Sequence, residues 1–317
     1  MNDSLMAEQR GSASSETLGV IGLGLLGAAL AERALAAGMI VIGFDIDTSQ
    51  RTHLAQAGGQ PLASGQDVAR ACRCILLALP HDGVTREVLD DIASSLVSGT
   101  VILDATTGDP ESAVAFARNL TERGVTYLDT TVSGSSAQAR LGEALFMVGG
   151  PKDVYEASRD LFDVLAGQTI HTGPCGTGAR MKLVTNLVLG LNRAALAEGL
   201  AFASALGLDP AQALEVLKAS AAYSRLMDTK GEKMLRGDFE PQARLSQHLK
   251  DVRLMLAAAA RSGQRLPLSE AHRELLELAE QLGLGQLDNS AILRAIEAQR
   301  GEGQIKAATS GKAGGLK

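Results

Sequence analysis

The chain has no tryptophan, and three tyrosines with six phenylalanines bring its aromatic share to only 3% of 317 residues. Its core must therefore be packed chiefly with Ala, Leu and Val. Basic runs are missing as well: 36 acidic residues against 30 basic ones give a formal net charge of -6, which argues against a nucleic-acid partner. Cysteine is scarce, and Cys72, Cys74 and Cys175 are an odd count that provides no disulfide framework. Cys72 and Cys74 lie in ACRCILLALP, at the entry to an apolar run, and read as buried or partly buried thiols. Neither the cysteine spacing nor the scattered His53, His81, His171, His248 and His272 form a ligand pattern, so no metal is expected. The first 16 residues lack a basic segment followed by an apolar one, so they are expected to be a flexible tail, not a signal peptide, and the chain to be cytoplasmic. No membrane partner is expected either, because Asn186, Asn192, Arg193 and Glu198 interrupt the one long apolar stretch, 178–206.

What the chain does have is a strand–helix rhythm in its first half. LGVIG (18–22), a helical pattern through Ala37, a stop at Gly38 and MIVIGF (39–44) make one strand–helix–strand unit. RCILLAL (73–79), TVILDA (100–105) and VTYLDT (125–130) continue it, separated by helical stretches at 82–96 and 110–124, and EALFMVGG (143–150) and QTIHTG (168–173) close it. Near-continuous apolar strands imply a sheet covered on both faces, hence a doubly wound parallel α/β sheet. From about Gly178 the chain reads as helix: 178–206, 210–220, 224–236, 243–262, 269–283 and 289–300. The expected organisation is a tail (1–16), an α/β domain (17–177), an all-helical domain (178–300) and a second tail (301–317), which is Gly- and Lys-rich.

At the end of the first strand stands Gly22-Leu23-Gly24-Leu25-Leu26-Gly27, a G-x-G-x-x-G that follows a strand and opens a helix. Asp45 comes at the end of the second strand, where the dinucleotide fingerprint requires an acid. The glycines let the backbone approach a pyrophosphate, and Asp45 would accept hydrogen bonds from the adenine ribose. An acid here repels a 2′-phosphate, so NAD is expected in preference to NADP. Leu79-Pro80 and Thr106-Thr107 follow the next strands at their carboxyl ends, where they would line the nicotinamide side.

Lys182 sits near the start of GTGARMKLVTNLVLGL, which is otherwise almost wholly apolar or small. On a helix Gly178, Lys182, Asn186 and Gly190 share one stripe. Two readings stand: a packing lysine whose ammonium snorkels to water, or a desolvated amine suited to proton transfer.

The G-x-G-x-x-G, the run Asp129-Thr130-Thr131-Val132-Ser133-Gly134, Gly176-Thr177-Gly178 followed by Lys182 and Asn186, and Lys250-Asp251 together resemble the β-hydroxyacid dehydrogenase family over residues 17–298. The resemblance implies a Rossmann domain followed by an all-helical one, and homodimers or homotetramers built on the helical half. It also implies a small hydroxy-acid or semialdehyde substrate, with Lys182 as the catalytic acid/base. By the same resemblance Ser133 and Gly134 hold the substrate carboxylate, Asn186 orients substrate and lysine, and Lys250 closes over both cofactor and substrate. The family's usual Asp-Ala-Pro-Val-Ser-Gly-Gly departs here to Thr130, Thr131 and Ser135, from which a more polar pocket wall is expected. Leu189 stands where related decarboxylating enzymes carry a glutamate, so no decarboxylation is expected. A reductase of another β-hydroxy acid or of an imine, or a non-catalytic nucleotide-binding scaffold, are the alternatives.

Overall fold

The computed structural model describes residues 17–299, so the two expected tails lie outside the described residues. It divides into two compact units, one running to Lys182 and the other beginning at Leu183.

In the first unit strands and helices alternate: β1 (Thr17–Ile21), α1 (Leu25–Ala36), β2 (Ile40–Phe44), α2 (Thr48–Gln56), β3 (Gln60–Pro61), α3 (Gly65–Ala71), β4 (Cys74–Leu77) and α4 (Asp82–Ile92). They are followed by β5 (Val101–Asp104), α5 (Pro110–Thr121), β6 (Thr126–Ser133), α6 (Ser136–Leu141), β7 (Leu145–Gly149), α7 (Lys152–Ala157), α8 (Arg159–Leu165) and β8 (Gln168–Gly173). The strands form one sheet in the order β3-β2-β1-β4-β5-β6-β7-β8. β1 to β6 pair in parallel, β7 runs antiparallel to β6, and β8 is parallel to β7. The chain moves outward from β1 to β3, then returns to β4 on the other side of β1, so the crevice beyond their carboxyl ends is the switch point at which such sheets bind ligands.

Alternation along the strands sends side chains to two cores. Leu18, Val20, Leu76, Leu103 and Leu128 pack with residues of α1, α6 and α8 on one face. Ile21, Ile75, Leu77, Ile102 and Tyr127 pack with residues of α3, α4 and α5 on the other. Each layer holds an aromatic pair, Phe146 edge-on to Phe162 in the first and Phe116 edge-on to Tyr127 in the second.

α2, β3 and α3 are additions to the expected elements. α2 buries only Leu54 and β3 is two exposed residues, so neither leaves an apolar period in the sequence. The reversed direction of β7 corrects the expectation of a parallel sheet at this one pairing: the link from Ser133 to Leu145 holds only the six-residue α6, too short a crossover to return the chain for a parallel partner.

α9 (Thr177–Ala205) has its opening turns in the first unit. The second unit is built from the rest of α9 with α10 (Pro210–Ala219), α11 (Leu226–Arg236), α12 (Leu245–Arg261), α13 (Pro267–Gln281), a 3₁₀ turn (Asn289–Ala291) and α14 (Ile292–Ala298). Leu196, Leu200, Leu214, Met227, Leu249, Met255, Leu276 and Ile292 are among its core residues. A charged centre lies within this unit. Asp288 is fully buried and accepts hydrogen bonds from Lys230 Nζ at 2.9 Å, the Gln242 N–H at 3.0 Å, the Ser290 N–H at 3.1 Å and Ser290 Oγ at 2.7 Å. Burial works to raise its pKa, but the Lys230 charge and these donors outweigh burial and hold the carboxyl at about 2.

Candidate active site

The three glycines of the turn after β1 have three different reasons to be glycine. Gly22 has φ +92°, and a Cβ there would lie 2.4 Å from the Ala78 carbonyl oxygen. Gly27 packs α1 against the turn so closely that a Cβ would meet the Gly22 carbonyl oxygen at 1.9 Å. Gly24, which caps α1, faces open space with nothing within 4 Å of a Cβ. The first intrahelical bond runs from the Ala28 N–H to the Gly24 carbonyl, so the amides before it point outward for an acceptor from elsewhere. A pyrophosphate needs such amides, the positive end of the helix and an approach free of side chains, and the turn fits a dinucleotide on each count. Leu23 is buried in the core, while Leu26 packs against that core and Leu25 is exposed.

Asp45 lies just beyond β2. Its carboxylate accepts the Leu23 N–H at 2.6 Å and the Asp47 N–H at 2.9 Å, which fastens the acid to the middle of the glycine turn. Arg51 curls back over the same loop, donating to the carbonyls of Asp45 and Ile46 and to Thr48 Oγ1, with its guanidinium over the Phe44 ring. Further along this edge of the sheet the Leu79 N–H donates to Thr106 Oγ1 at 3.1 Å, so buried Thr106 ties the β4 and β5 ends together. Thr107 is half-buried and Pro80 exposed beside them.

Behind this edge is a buried acidic pair. Asp104 accepts the Tyr127 hydroxyl at 2.6 Å and the Thr106 N–H at 2.9 Å, and burial pushes its carboxyl up to about 6 against those donors. Asp129 is also buried, which raises its pKa, while its oxygens accept the N–H groups of Gly176 and Ala179 at 2.8 Å each. The Cys72 thiol is buried and pushed up to about 11 by that burial, and Cys74 is half-buried. Among the described residues no group of three or more His, Cys, Asp or Glu side chains is arranged to hold a metal ion.

Lys182 lies in the second turn of α9, half-buried, and its Nζ donates to the Val132 carbonyl at 2.5 Å. The next residue, Ser133, ends β6, and Gly134 after it is exposed with φ +147°. The expected polar pocket wall is corrected by the structure. Thr130 and Thr131 are buried, with their hydroxyls spent on the carbonyls of Leu128 and Gly178, and Ser135 forms a capping box with Gln138 at the start of α6. All three hydroxyls serve the backbone.

In the second unit Asn186, one helical turn beyond Lys182 along α9, donates from Nδ2 to Asp251 Oδ2 at 3.0 Å, both side chains being buried. Lys250 Nζ stands 3.3 Å from Asp251 Oδ1. Asp251 thereby joins the two residues expected at a substrate, a role whose only sequence signal is its place next to Lys250. Gly190 is buried against two histidines, and a Cβ there would lie 2.5 Å from His248 Nε2.

Two family descriptions cover the chain: residues 17–173 match the NAD binding domain of 6-phosphogluconate dehydrogenase, and residues 176–296 match the NAD-binding domain of NADP-dependent 3-hydroxyisobutyrate dehydrogenase. The 2-(hydroxymethyl)glutarate dehydrogenase of Eubacterium barkeri is 32% identical over 288 residues, 90% of this chain and 96% of that one. The 2-hydroxy-3-oxopropionate reductase of Escherichia coli is 32% identical over 287 residues, 88% of this chain and 97% of that one. Among solved structures, Mycobacterium tuberculosis 3-hydroxyisobutyrate dehydrogenase with L-serine superimposes with a TM-score of 0.81 at 25% identity, covering 89% of this chain and 99% of that one.

Proposed function

Because the chain belongs to the β-hydroxyacid dehydrogenase family, we propose that it interconverts a small 3-hydroxy acid and the matching semialdehyde or keto acid, using NAD in preference to NADP, with Lys182 moving the proton. The observation that carries this reading is the Lys182 to Val132 bond, which keeps the amine beside the residue before Ser133. The names of the similar proteins support the substrate class. 2-(Hydroxymethyl)glutarate, 3-hydroxyisobutyrate and L-serine each have a primary alcohol on the carbon next to the one bearing a carboxylate, and 2-hydroxy-3-oxopropionate has an aldehyde there.

A nicotinamide dinucleotide, held by Gly22–Gly27 with Asp45 on its ribose and Leu79, Pro80, Thr107 and Lys250 along its length, supplies the hydride chemistry when bound. Lys182 gives a proton to the substrate oxygen during reduction and takes it from the hydroxyl during oxidation. An ammonium donates in three directions, so its bond to Val132 is compatible with one to a substrate oxygen. Ser133 and Gly134 hold the carboxylate, while Asn186 and Lys250, joined through Asp251, orient the substrate. The test is a spectrophotometric screen of NADH and NADPH against short semialdehydes, with NAD and NADP against the matching hydroxy acids. No turnover of any 3-hydroxy acid or its semialdehyde would sink the proposal.

The same reading includes a homodimer or homotetramer built on the helical unit. Phe202, Leu206, Leu208 and Val216 support it, since each leaves more than half of its surface exposed in the single chain. Light scattering at micromolar concentration checks this, and a monomer there would refute it.

A further inference from the structure

We propose that Asp129 is a positioning residue for Lys182: from strand β6 its carboxylate clamps the first turn of α9, and so sets where the lysine amine lies. The inference rests on the reading of Lys182 as the acid/base for its kinetic consequence only.

The geometry is a ladder between one strand and one helix start. Asp129 Oδ1 accepts the Gly176 N–H and Oδ2 the Ala179 N–H, both at 2.8 Å. Two residues along the same face of β6, Thr131 Oγ1 donates to the Gly178 carbonyl at 2.9 Å. One residue further, the Val132 carbonyl receives Lys182 Nζ at 2.5 Å. From 129 to 132 an extended strand advances roughly 10 Å, and from 176 to 182 a helix advances roughly 9 Å, so strand and helix keep step over the whole ladder.

An ordinary helix cap comes from the residue just before the first turn and fixes only the local chain. Here the cap for a 29-residue helix is lent by the sheet, across 47 and 50 residues of sequence. A carboxylate at that place is favoured by the helix dipole as well as by the two amides. The surroundings are hollowed to admit it. A Cβ on Gly149 would lie 2.4 Å from Asp129 Oδ1, and a Cβ on Gly178 would lie 2.6 Å from the carbonyl oxygens of both Asp129 and Met147. With the clamp in place Lys182 has a defined root, and a root displaced by 1 Å misplaces a proton donor enough to cost about a hundredfold in rate.

The first test reads position without any substrate. The free protein is acylated with a trace of acetic anhydride, and labelling of Lys182 is compared by mass spectrometry with that of exposed Lys152. Asp129→Asn, which keeps the shape but can accept from only one of the two amides, is expected to raise the Lys182 to Lys152 ratio several-fold; a ratio unchanged from wild type overturns the proposal. Should Asp129→Asn fail to fold, Thr131→Val, which removes only the hydroxyl, takes its place, with Thr131→Ser expected to restore the wild-type ratio.

The second test reads the consequence, using NADH with 2-hydroxy-3-oxopropionate as probe. Asp129→Asn is expected to lower kcat ten- to a hundredfold with NADH affinity unchanged, and to have no further effect in a Lys182→Ala background. An equal loss in both backgrounds overturns positioning through Lys182. If Lys182→Ala itself turns over like wild type, the acid/base reading has failed, while the labelling ratio still judges the clamp.

Discussion

The carboxylate of Asp45 accepts the backbone N–H of Leu23 at 2.6 Å, so the acid proposed to meet the ribose also braces the turn proposed to hold the pyrophosphate. The wild-type protein is therefore expected to prefer NADH over NADPH several-fold or more. Asp45→Ala is expected to weaken NADH use by roughly ten- to a hundredfold, the range for losing hydrogen bonds to a charged acceptor. NADPH, whose 2′-phosphate no longer meets a carboxylate, should suffer less. Steady-state kcat/KM for both cofactors decides, and equal values in the wild type would contradict the assignment.

Gly24 and Gly27 are expected to fail in opposite ways. Gly24→Ala adds a methyl where nothing lies within 4 Å, so the melting temperature should hardly change while NADH affinity falls at least tenfold. Gly27→Ala drives a Cβ to 1.9 Å from the Gly22 carbonyl, so it should lower the melting temperature itself. Thermal melts and fluorescence titration of NADH on both variants separate the two outcomes.

Lys182→Ala should reduce turnover by roughly a hundred- to ten-thousandfold, the usual span for removing a general acid/base. NADH affinity should stay near wild type, because the glycine turn and Asp45 are untouched, and alanine suits the helix. Turnover within threefold of wild type, together with a lowered melting temperature, would make Lys182 a packing residue instead.

Asp104 makes stability depend on pH in an unusual direction. Its folded pKa of about 6 lies above the ordinary 3.8, so the folded protein holds this proton more tightly than the open chain does. Its contribution is therefore most favourable below pH 4, declines as the pH rises through 6, and is flat above that. Asp104→Asn keeps an acceptor for the Thr106 N–H and offers an amide to the Tyr127 oxygen, and it never carries the charge. It is expected to stabilise the protein by roughly 1–3 kcal/mol at pH 7.5 and to bring no gain at pH 4. Urea titrations at the two pH values check this, and a gain of equal size at both would contradict it.

Much of the nucleotide half was legible because its signals are local. Gly22, Gly24 and Gly27 act within one turn, and Asp45 follows at the distance that one strand–helix–strand unit imposes. The β-strands at 73–79 and 100–105 were legible as apolar runs because both of their faces are covered. The clamp by Asp129 was not legible, since its partners Gly176 and Ala179 are backbone amides that leave no mark on side-chain identity. Thr131 misled for a related reason: a hydroxyl suggests a wet wall, but its partner is the Gly178 carbonyl, reached only once α9 has packed on β6. The direction of β7 was also hidden, because an apolar run reads the same in either sense.

The buried pair of Lys230 and Asp288 imposes an order on how the helical unit is made. The ammonium leaves the ribosome 58 residues ahead of the carboxylate that neutralises it. At ordinary elongation rates that interval lasts roughly 3–12 s. Through it Lys230 must stay in water, for sealing it unpaired would cost several kcal/mol. α9, α10 and α11 are therefore expected to close over their final core only after the turn at Asn289–Ala291 has arrived.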